Sequence, residues 1–304
     1  MDTTVEIVGV PMDLGADRRG VDMGPSAIRY GGLSDELEKI EQPTVDSGDL
    51  TVPRAEERDP DASGQMGGTA KYLDETQTVC ERLADRVAGI HDAGRFPLVL
   101  GGDHAIAIGT AKGTAPRGST GIIWFDAHAD LNTPQTTPSG NIHGMPLGAI
   151  LGRGVFDGVE WAHCPTVDES NVALVGLRSL DKPEKEFLHE RDLHAYTMSD
   201  VDRRGITTVV SEALERTAGD VDQLYVSFDM DLLDPDEAPG VGTPVRGGIT
   251  YREAHAAMEL VYGEAADKLT ALDVVEVNPI LDRVNRTAEL ACELTASAFG
   301  KRIL

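Results

Sequence analysis

The 304-residue sequence predicts an α/β fold, a parallel sheet covered by helices on both faces. Three observations carry that expectation. Short apolar runs rich in β-branched residues recur along the chain. Segments with helical spacing lie between them. Acidic and imidazole side chains gather just past the ends of the runs, where open parallel sheets place their ligands.

The elements come in order. "VEIVGV" (5–10) is the first strand candidate, followed by a fainter pattern near 44–48. "FPLVL" (96–100), "GIIWF" (121–125) and "VALVGL" (172–177) come next. A second faint pattern near 193–197 precedes "LYVSF" (224–228) and "LDVVEV" (272–277). All are too short for buried helices. Helical spacing is clearest in "AKYLDETQTVCERLADRVAGIHDAG" (70–94), where Leu73, Val79, Leu83 and Val87 share a stripe and Gly94 supplies a stop. Further helices are expected over about 207–217, 250–263 and 285–299. The polar segment 52–68 reads as a surface loop. The stretch 131–170 reads as irregular but carries many specific side chains. Motifs are scattered along the whole chain without repeat or linker, so one domain over 1–304 is expected.

The net charge is −25 and the basic residues are 7 lysines against 20 arginines. Such a surface repels nucleic acid and anionic membranes, which excludes both as partners. The acid is dispersed rather than blocked, which argues against a disordered acidic tail. A lysine-poor acidic surface suggests a halophilic source, where salt screens self-repulsion. Cys80, Cys164 and Cys292 are odd in number and far apart, so they are read as small core hydrophobes rather than disulfide or metal thiolates. The first residues show no basic and apolar leader pattern, and no stretch reaches membrane-spanning length. A cytoplasmic protein is expected.

The chemistry lies at the ends of four runs. "GGDH" (101–104), "DAHAD" (126–130), "SFDMD" (227–231) and "EVNP" (276–279) each follow a strand candidate. In "DAHAD", residues two apart point the same way in an extended chain. His104, Asp126, His128, Asp130, Asp229 and Asp231 together offer two imidazoles and four carboxylates. Burying four uncompensated carboxylates would cost more than a domain's net stability. Two divalent cations balance the charge. Oxygen-rich ligation without thiolate suits Mn²⁺ ahead of Fe, Co or Zn. A dinuclear site also lowers the pKa of a bridging water, so hydroxide is present near neutral pH. Taken singly, each fragment has a plainer account, since Asp-x-Asp often caps a helix and "GGDH" could be a turn with a core histidine. Their joint occurrence points to the dinuclear site.

With these residues in view, the chain resembles the ureohydrolases and, within them, the arginase family. The resemblance runs through "RRGVDMGPSAIR" (18–29), "GGDH", "DAHADLNTPQTTPSGNIHGMP" (126–146), "GLRSLDKPE" (176–184), "SFDMDLLDPDEAPGVGTPVRGGITYRE" (227–253) and "VVEVNP" (274–279). It implies a three-layer α/β/α fold around an eight-stranded, mostly parallel sheet, two Mn²⁺ per chain, and homo-oligomers of three or six copies. It implies that Asp126 and Asp229 bridge, that His104 and Asp130 complete one ion, and that His128 and Asp231 complete the other. Asn132, Thr137 and Ser139 match positions that bind the substrate α-carboxylate. Asp181 and Glu184 match positions that bind the α-amino group. Read without the resemblance, this loop is a turn rich in Asn, Thr, Pro, Ser and Gly. His143 matches the family's active-site histidine, Glu276 the acid that faces the guanidinium, and Thr243 lines the same pocket. Ala105 stands where serine is common after the ligand histidine.

The implied reaction is hydrolysis of L-arginine to L-ornithine and urea. A bridging hydroxide attacks the guanidinium carbon, and Asp130 moves the proton to the leaving nitrogen. His143 either exchanges protons with solvent or orients the substrate. Two other ureohydrolases, agmatinase and formimidoylglutamase, are rival readings that the "NTPQTTPSGN" loop argues against. A non-catalytic relative should have lost ligands, and a mononuclear zinc deacetylase would not need all six.

Overall fold

A computed structural model describes residues 3–16, 19–61 and 66–303. Arg18, at the start of the N-terminal motif, and residues 62–65 of the polar loop lie outside the described residues. Eight strands form one sheet: β1 (Val5–Val10), β2 (Thr44–Asp49), β3 (Phe96–Gly101), β4 (Thr120–Phe125), β5 (Val172–Leu177), β6 (His194–Thr197), β7 (Gln223–Asp229) and β8 (Leu269–Val275). Their order is β2-β1-β3-β8-β7-β4-β5-β6, and every pairing is parallel. β1, β3, β4, β5 and β7 are buried at every position, which is why their sequences read as continuous apolar runs. The faint patterns at 44–48 and 193–197 are the two edge strands. β2 is mostly exposed and β6 has only four residues.

Ten helices complete the described chain: α1 (Gly24–Tyr30), α2 (Leu33–Lys39), α3 (Leu73–Asp92), α4 (Ala107–Thr114), α5 (Pro146–Ile150), α6 (Lys182–Glu190), α7 (Met198–Arg204), α8 (Ile206–Ala218), α9 (Tyr251–Ala265) and α10 (Arg286–Ala298). Strand side chains alternate between two apolar layers. Ile123, Phe125, Val226 and Phe228 pack with Ile28, Leu33, Val209, Ala254 and Leu290 from α1, α2, α8, α9 and α10. On the other face, Val8, Val10 and Val99 meet α3, while Ile122, Trp124 and Tyr225 meet α4 and α5. Each fully buried aliphatic or phenyl side chain contributes roughly 1.5–3 kcal/mol, so both layers are needed to hold the sheet. Among the described residues no helix is long and apolar enough to cross a membrane.

The order of the sheet positions the site. β3, β8, β7 and β4, the four strands whose ends carry the motifs, are consecutive neighbours at its centre. Phe125 pairs with Phe228, so Asp126 and Asp229 emerge one residue later side by side. The fourth strand is shorter at its end than the pattern predicts. β8 stops at Val275 because Glu276 adopts a left-handed backbone, φ 65°. Asp130, with φ 52°, makes the same departure after β4. Non-glycine residues held there cost of order 1–3 kcal/mol and collect at functional sites.

Candidate metal centre and substrate cavity

His104 stands on a short turn after β3 that Asp103 caps, its carboxylate accepting Ala105 N at 3.0 Å. The His104 ring is buried and stacks on Trp124, with centroids 4.2 Å apart and planes 9° from parallel. Its Nδ1 faces three carboxylate oxygens: Asp130 Oδ2 at 3.0 Å, Asp126 Oδ2 at 3.2 Å and Asp229 Oδ2 at 3.2 Å. Its Nε2 lies 2.8 Å from Ser227 Oγ. Ser227 has a single proton, which goes to Asp273 Oδ1 at 2.6 Å, while Tyr225 donates to the other oxygen of Asp273 at 2.5 Å. Ser227 Oγ therefore accepts, His104 Nε2–H donates, and Nδ1 is turned toward the three acids, where it carries a proton when no metal is bound and would offer a lone pair to one. Nδ1 is buried without a hydrogen-bond partner.

A second cluster adjoins the first. His128 Nδ1 lies 3.0 Å from Asp231 Oδ2 and 3.4 Å from Asp126 Oδ1. Asp126 thus turns one oxygen to each imidazole. Its Oδ2 also accepts Trp124 Nε1–H at 3.0 Å and its Oδ1 accepts His128 N at 2.7 Å. Asp229 Oδ1 accepts Asp231 N, leaving Oδ2 for the cluster. Asp231 Oδ1 accepts Ala127 N, and Thr243 donates to Asp231 Oδ2 at 3.0 Å. His104, Asp126 and Asp130 form one group able to hold a metal, and Asp126, His128 and Asp231 form another.

Charge tests the fit. Four carboxylates carry −4, and two imidazolium rings return only +2. Burial opposes protonation of both rings, yet the surrounding carboxylates raise them far above the usual histidine range. Burial and the Asp126 charge push Asp130 up to about 7, burial and the charges of Asp231 and Asp126 push Asp229 well up, and burial raises Asp231. Burial works against Asp126 as well, but its bonds to both histidines hold it well below the carboxylate range. Without other cations the site approaches neutrality only by holding protons on its own buried carboxylates. Two divalent cations would restore neutrality and use the free Nδ1, so the donor set fits the metals the sequence implies.

A cavity of about 130 Å³ opens above this layer. His104, His128, Asp130 and Asp229 line it, together with Asn132, Thr137, Ser139, His143, Asp181, Glu184 and Thr243. Asp126 and Asp231 lie beneath the lining. Thr137 Oγ1 accepts Gly140 N at 3.1 Å and Ser139 Oγ accepts Asn141 N at 3.1 Å; the two hydroxyls lie 3.5 Å from each other, so at least one of their protons remains to be donated into the cavity. Asn132 donates to Asp181 Oδ2 at 2.9 Å and accepts from Thr136. Asp181 and Glu184 form the capping box that starts α6. Glu184 accepts Leu131 N and Asp181 N with its two oxygens, tying the loop after Asp130 to that helix.

His143 belongs to neither metal group. Its backbone N donates to Gly15 O, and its Nδ1 lies 3.0 Å from Glu276 Oε1. Glu276 sits behind it, 1% exposed, accepting His104 N with Oε1 while Oε2 is buried without a partner. Burial opposes protonation of His143, but the bond and charge of Glu276 raise it to about 9. A wider opening, lined by Ala16, His128, Asn141, His143 and Thr243 among others, adjoins the cavity.

The sequence reading did not single out Trp124, Ser227, Asp273 or Asn141. Trp124 and Ser227 stand two residues before Asp126 and Asp229, hence on the same strand faces, which is the signal that could have found them. Asp273 is the lone acid inside an apolar run.

An all-parallel α/β/α sheet with paired His/Asp clusters at its central strand ends is the architecture of a metal-dependent hydrolase. The chain belongs to the arginase family, whose family model, "Arginase: Arginase family", matches residues 3–300. It is 48% identical over 308 residues to an arginase of Brevibacillus brevis, covering 100% of both chains. It is 46% identical over 302 residues to an arginase of Bacillus caldovelox, covering 99% of each. A solved native structure of arginase from Bacillus caldovelox at pH 5.6 superimposes with a TM-score of 0.92 at 46% identity, covering 99% of this chain and 100% of that one.

Proposed function

We propose that this chain hydrolyses L-arginine to L-ornithine and urea, acting on the C–N bond of a linear amidine. The carrying observation is that one cavity joins the two His/Asp groups to a ring of donors and acids suited to an amino-acid head group. Thr137 and Ser139 donate to the α-carboxylate, and Asp181 and Glu184 receive the α-amino group. His104, Asp126 and Asp130 would hold one Mn²⁺, Asp126, His128 and Asp231 would hold the other, and Asp229 would complete the set. The metals, when bound, neutralise the carboxylates and lower the pKa of the attacking water. With the metals bound, Asp130 would accept the proton of that water and pass it to the leaving nitrogen. Thr243 lines the cavity where the guanidinium would sit, and the carboxylate of Glu276, buried behind His143, supplies negative charge toward it. His143, fixed through Nδ1 by Glu276, keeps Nε2 for proton exchange at the cavity it lines.

A single domain is supported by β1 and α10, which pack on one continuous sheet. Its three cysteines are free and buried, in keeping with a reducing cytoplasm. Met23 just before α1, Tyr30 at its end, and Ile280, Leu281 and Val284 on the adjoining β8–α10 loop are exposed and support a homo-oligomer, for which the family resemblance implies three or six copies. The −25 charge supports a halophilic source. The test of substrate is urea release, or formamide release for the formimidoyl compound, in the presence of Mn²⁺. L-Arginine should far outpace agmatine and N-formimidoyl-L-glutamate. Agmatine matching L-arginine would overturn the assignment of the clamp.

A further inference from the structure

Residues 66–71 lie flush against the loop that lines the head-group side of the cavity. Gln135 Nε2 donates to Met66 O at 2.9 Å, Thr69 N to Pro134 O at 2.7 Å, and Lys71 N to Gly140 O at 2.8 Å. The approach is close enough that a Cβ at Gly68 would stand 2.0 Å from Pro134 O. At the end of this strap, Lys71 Nζ donates to Asn141 Oδ1 at 3.1 Å. Asn141 is nearly buried and lines the cavity beside Ser139.

An asparagine amide can present either its oxygen or its NH₂ to a ligand. A lysine ammonium only donates, so Asn141 must turn its oxygen to Lys71 and its NH₂ the other way. Among the described residues no acceptor takes that NH₂. Its neighbours on the cavity wall, Thr137 and Ser139, share one bond between them and keep at least one proton to donate. With the amide reversed, an oxygen would meet an incoming carboxylate and repel it.

We propose that Lys71 is a specificity-determining positioning residue, which fixes the Asn141 amide as a hydrogen-bond donor to the α-carboxylate of the substrate. This rests on the L-arginine reading above. Lys71 acts through Asn141 and touches no reacting atom. Its effect falls on amino-acid substrates and spares decarboxylated ones.

The test compares L-arginine with agmatine, which lacks the carboxylate, in Lys71→Met, Lys71→Arg, Asn141→Ala and the Lys71→Met/Asn141→Ala pair. Lys71→Met should raise KM for L-arginine about tenfold with the loss in KM rather than kcat, and leave agmatine parameters within about twofold. Lys71→Arg, which keeps a cationic donor, should recover part of the loss. In the Asn141→Ala background, Lys71→Met should add little to the loss specific to L-arginine, because both changes remove the Lys71–Asn141 contact. Calorimetry with L-ornithine and 1,4-diaminobutane reads the same difference without turnover. An unchanged KM for L-arginine, an equal loss with agmatine, or additive losses in the pair would overturn the proposal. Wild-type protein that releases no urea from L-arginine would instead sink the substrate reading beneath it.

Discussion

Replacing Ser227 by alanine isolates how His104 is held. In the wild-type chain Ser227 Oγ accepts the Nε2–H of His104 and passes its own proton to Asp273. In the metal-free variant the ring should re-seat on the three carboxylates that face Nδ1 and recover the lost bond there. A bound ion removes that freedom, because Nδ1 must face it and Nε2–H is left beside a methyl group. An unsatisfied buried donor costs about 1–3 kcal/mol, which weakens binding about 5- to 150-fold. The loss should fall on one ion only, since no Ser227 contact reaches the His128 cluster. The broken Ser227–Asp273 bond weakens both states alike and should appear in the melting temperature instead. Stepwise Mn²⁺ dissociation constants, measured by competition with a chelating dye, separate the two effects. One weakened step and one unchanged step are expected. Equal shifts in both steps, or none, would refute the tautomer argument.

Other outcomes are equally concrete. His143→Ala should keep both ions yet lower turnover about 10²–10⁴-fold, whereas His128→Ala should lose metal as well as rate; metal content and turnover on the same preparations decide it. Because Glu276 raises His143 from 6.5 to about 9, the pair stabilises the metal-free fold fully below pH 6.5 and loses that contribution as pH rises through about 9. The melting temperature of metal-free protein should therefore fall less steeply across that window in Glu276→Gln than in wild type, and equal slopes would count against the pairing. With a net charge of −25, the chain should melt higher in molar KCl, where the Debye length shrinks to roughly 3 Å; an unchanged or lower midpoint would remove the salt-adapted reading.

Much of the fold was legible because burial on both faces writes itself as unbroken apolar runs. The central strands were read within a few residues, and α3, α8, α9 and α10 carry amphipathic stripes long enough to see. Six helices were not anticipated, for physical reasons. α1, α2, α5 and α7 span seven residues or fewer, too few turns for a period to show. α4 is buried everywhere except Lys112, so it has no polar face. α6 begins inside "LDKPE", whose Asp181 and Glu184 were read for a ligand and also serve as a helix cap. At the site, spacing by two exposed the carboxylates and imidazoles that leave β4 and β7. The left-handed turns at Asp130 and Glu276 were not legible, since nothing in a non-glycine residue announces them. The contact between Lys71 and Asn141 crosses 70 residues of sequence and depends on a strap with no periodicity.

The central claim is that two ions and this one cavity together hydrolyse L-arginine. Metal-free protein should be titrated with Mn²⁺ while urea and L-ornithine are counted in the same samples. Activity should rise to its maximum at two equivalents per chain, with urea and L-ornithine formed one for one. Full activity at a single equivalent, or urea without matching L-ornithine, would contradict the account.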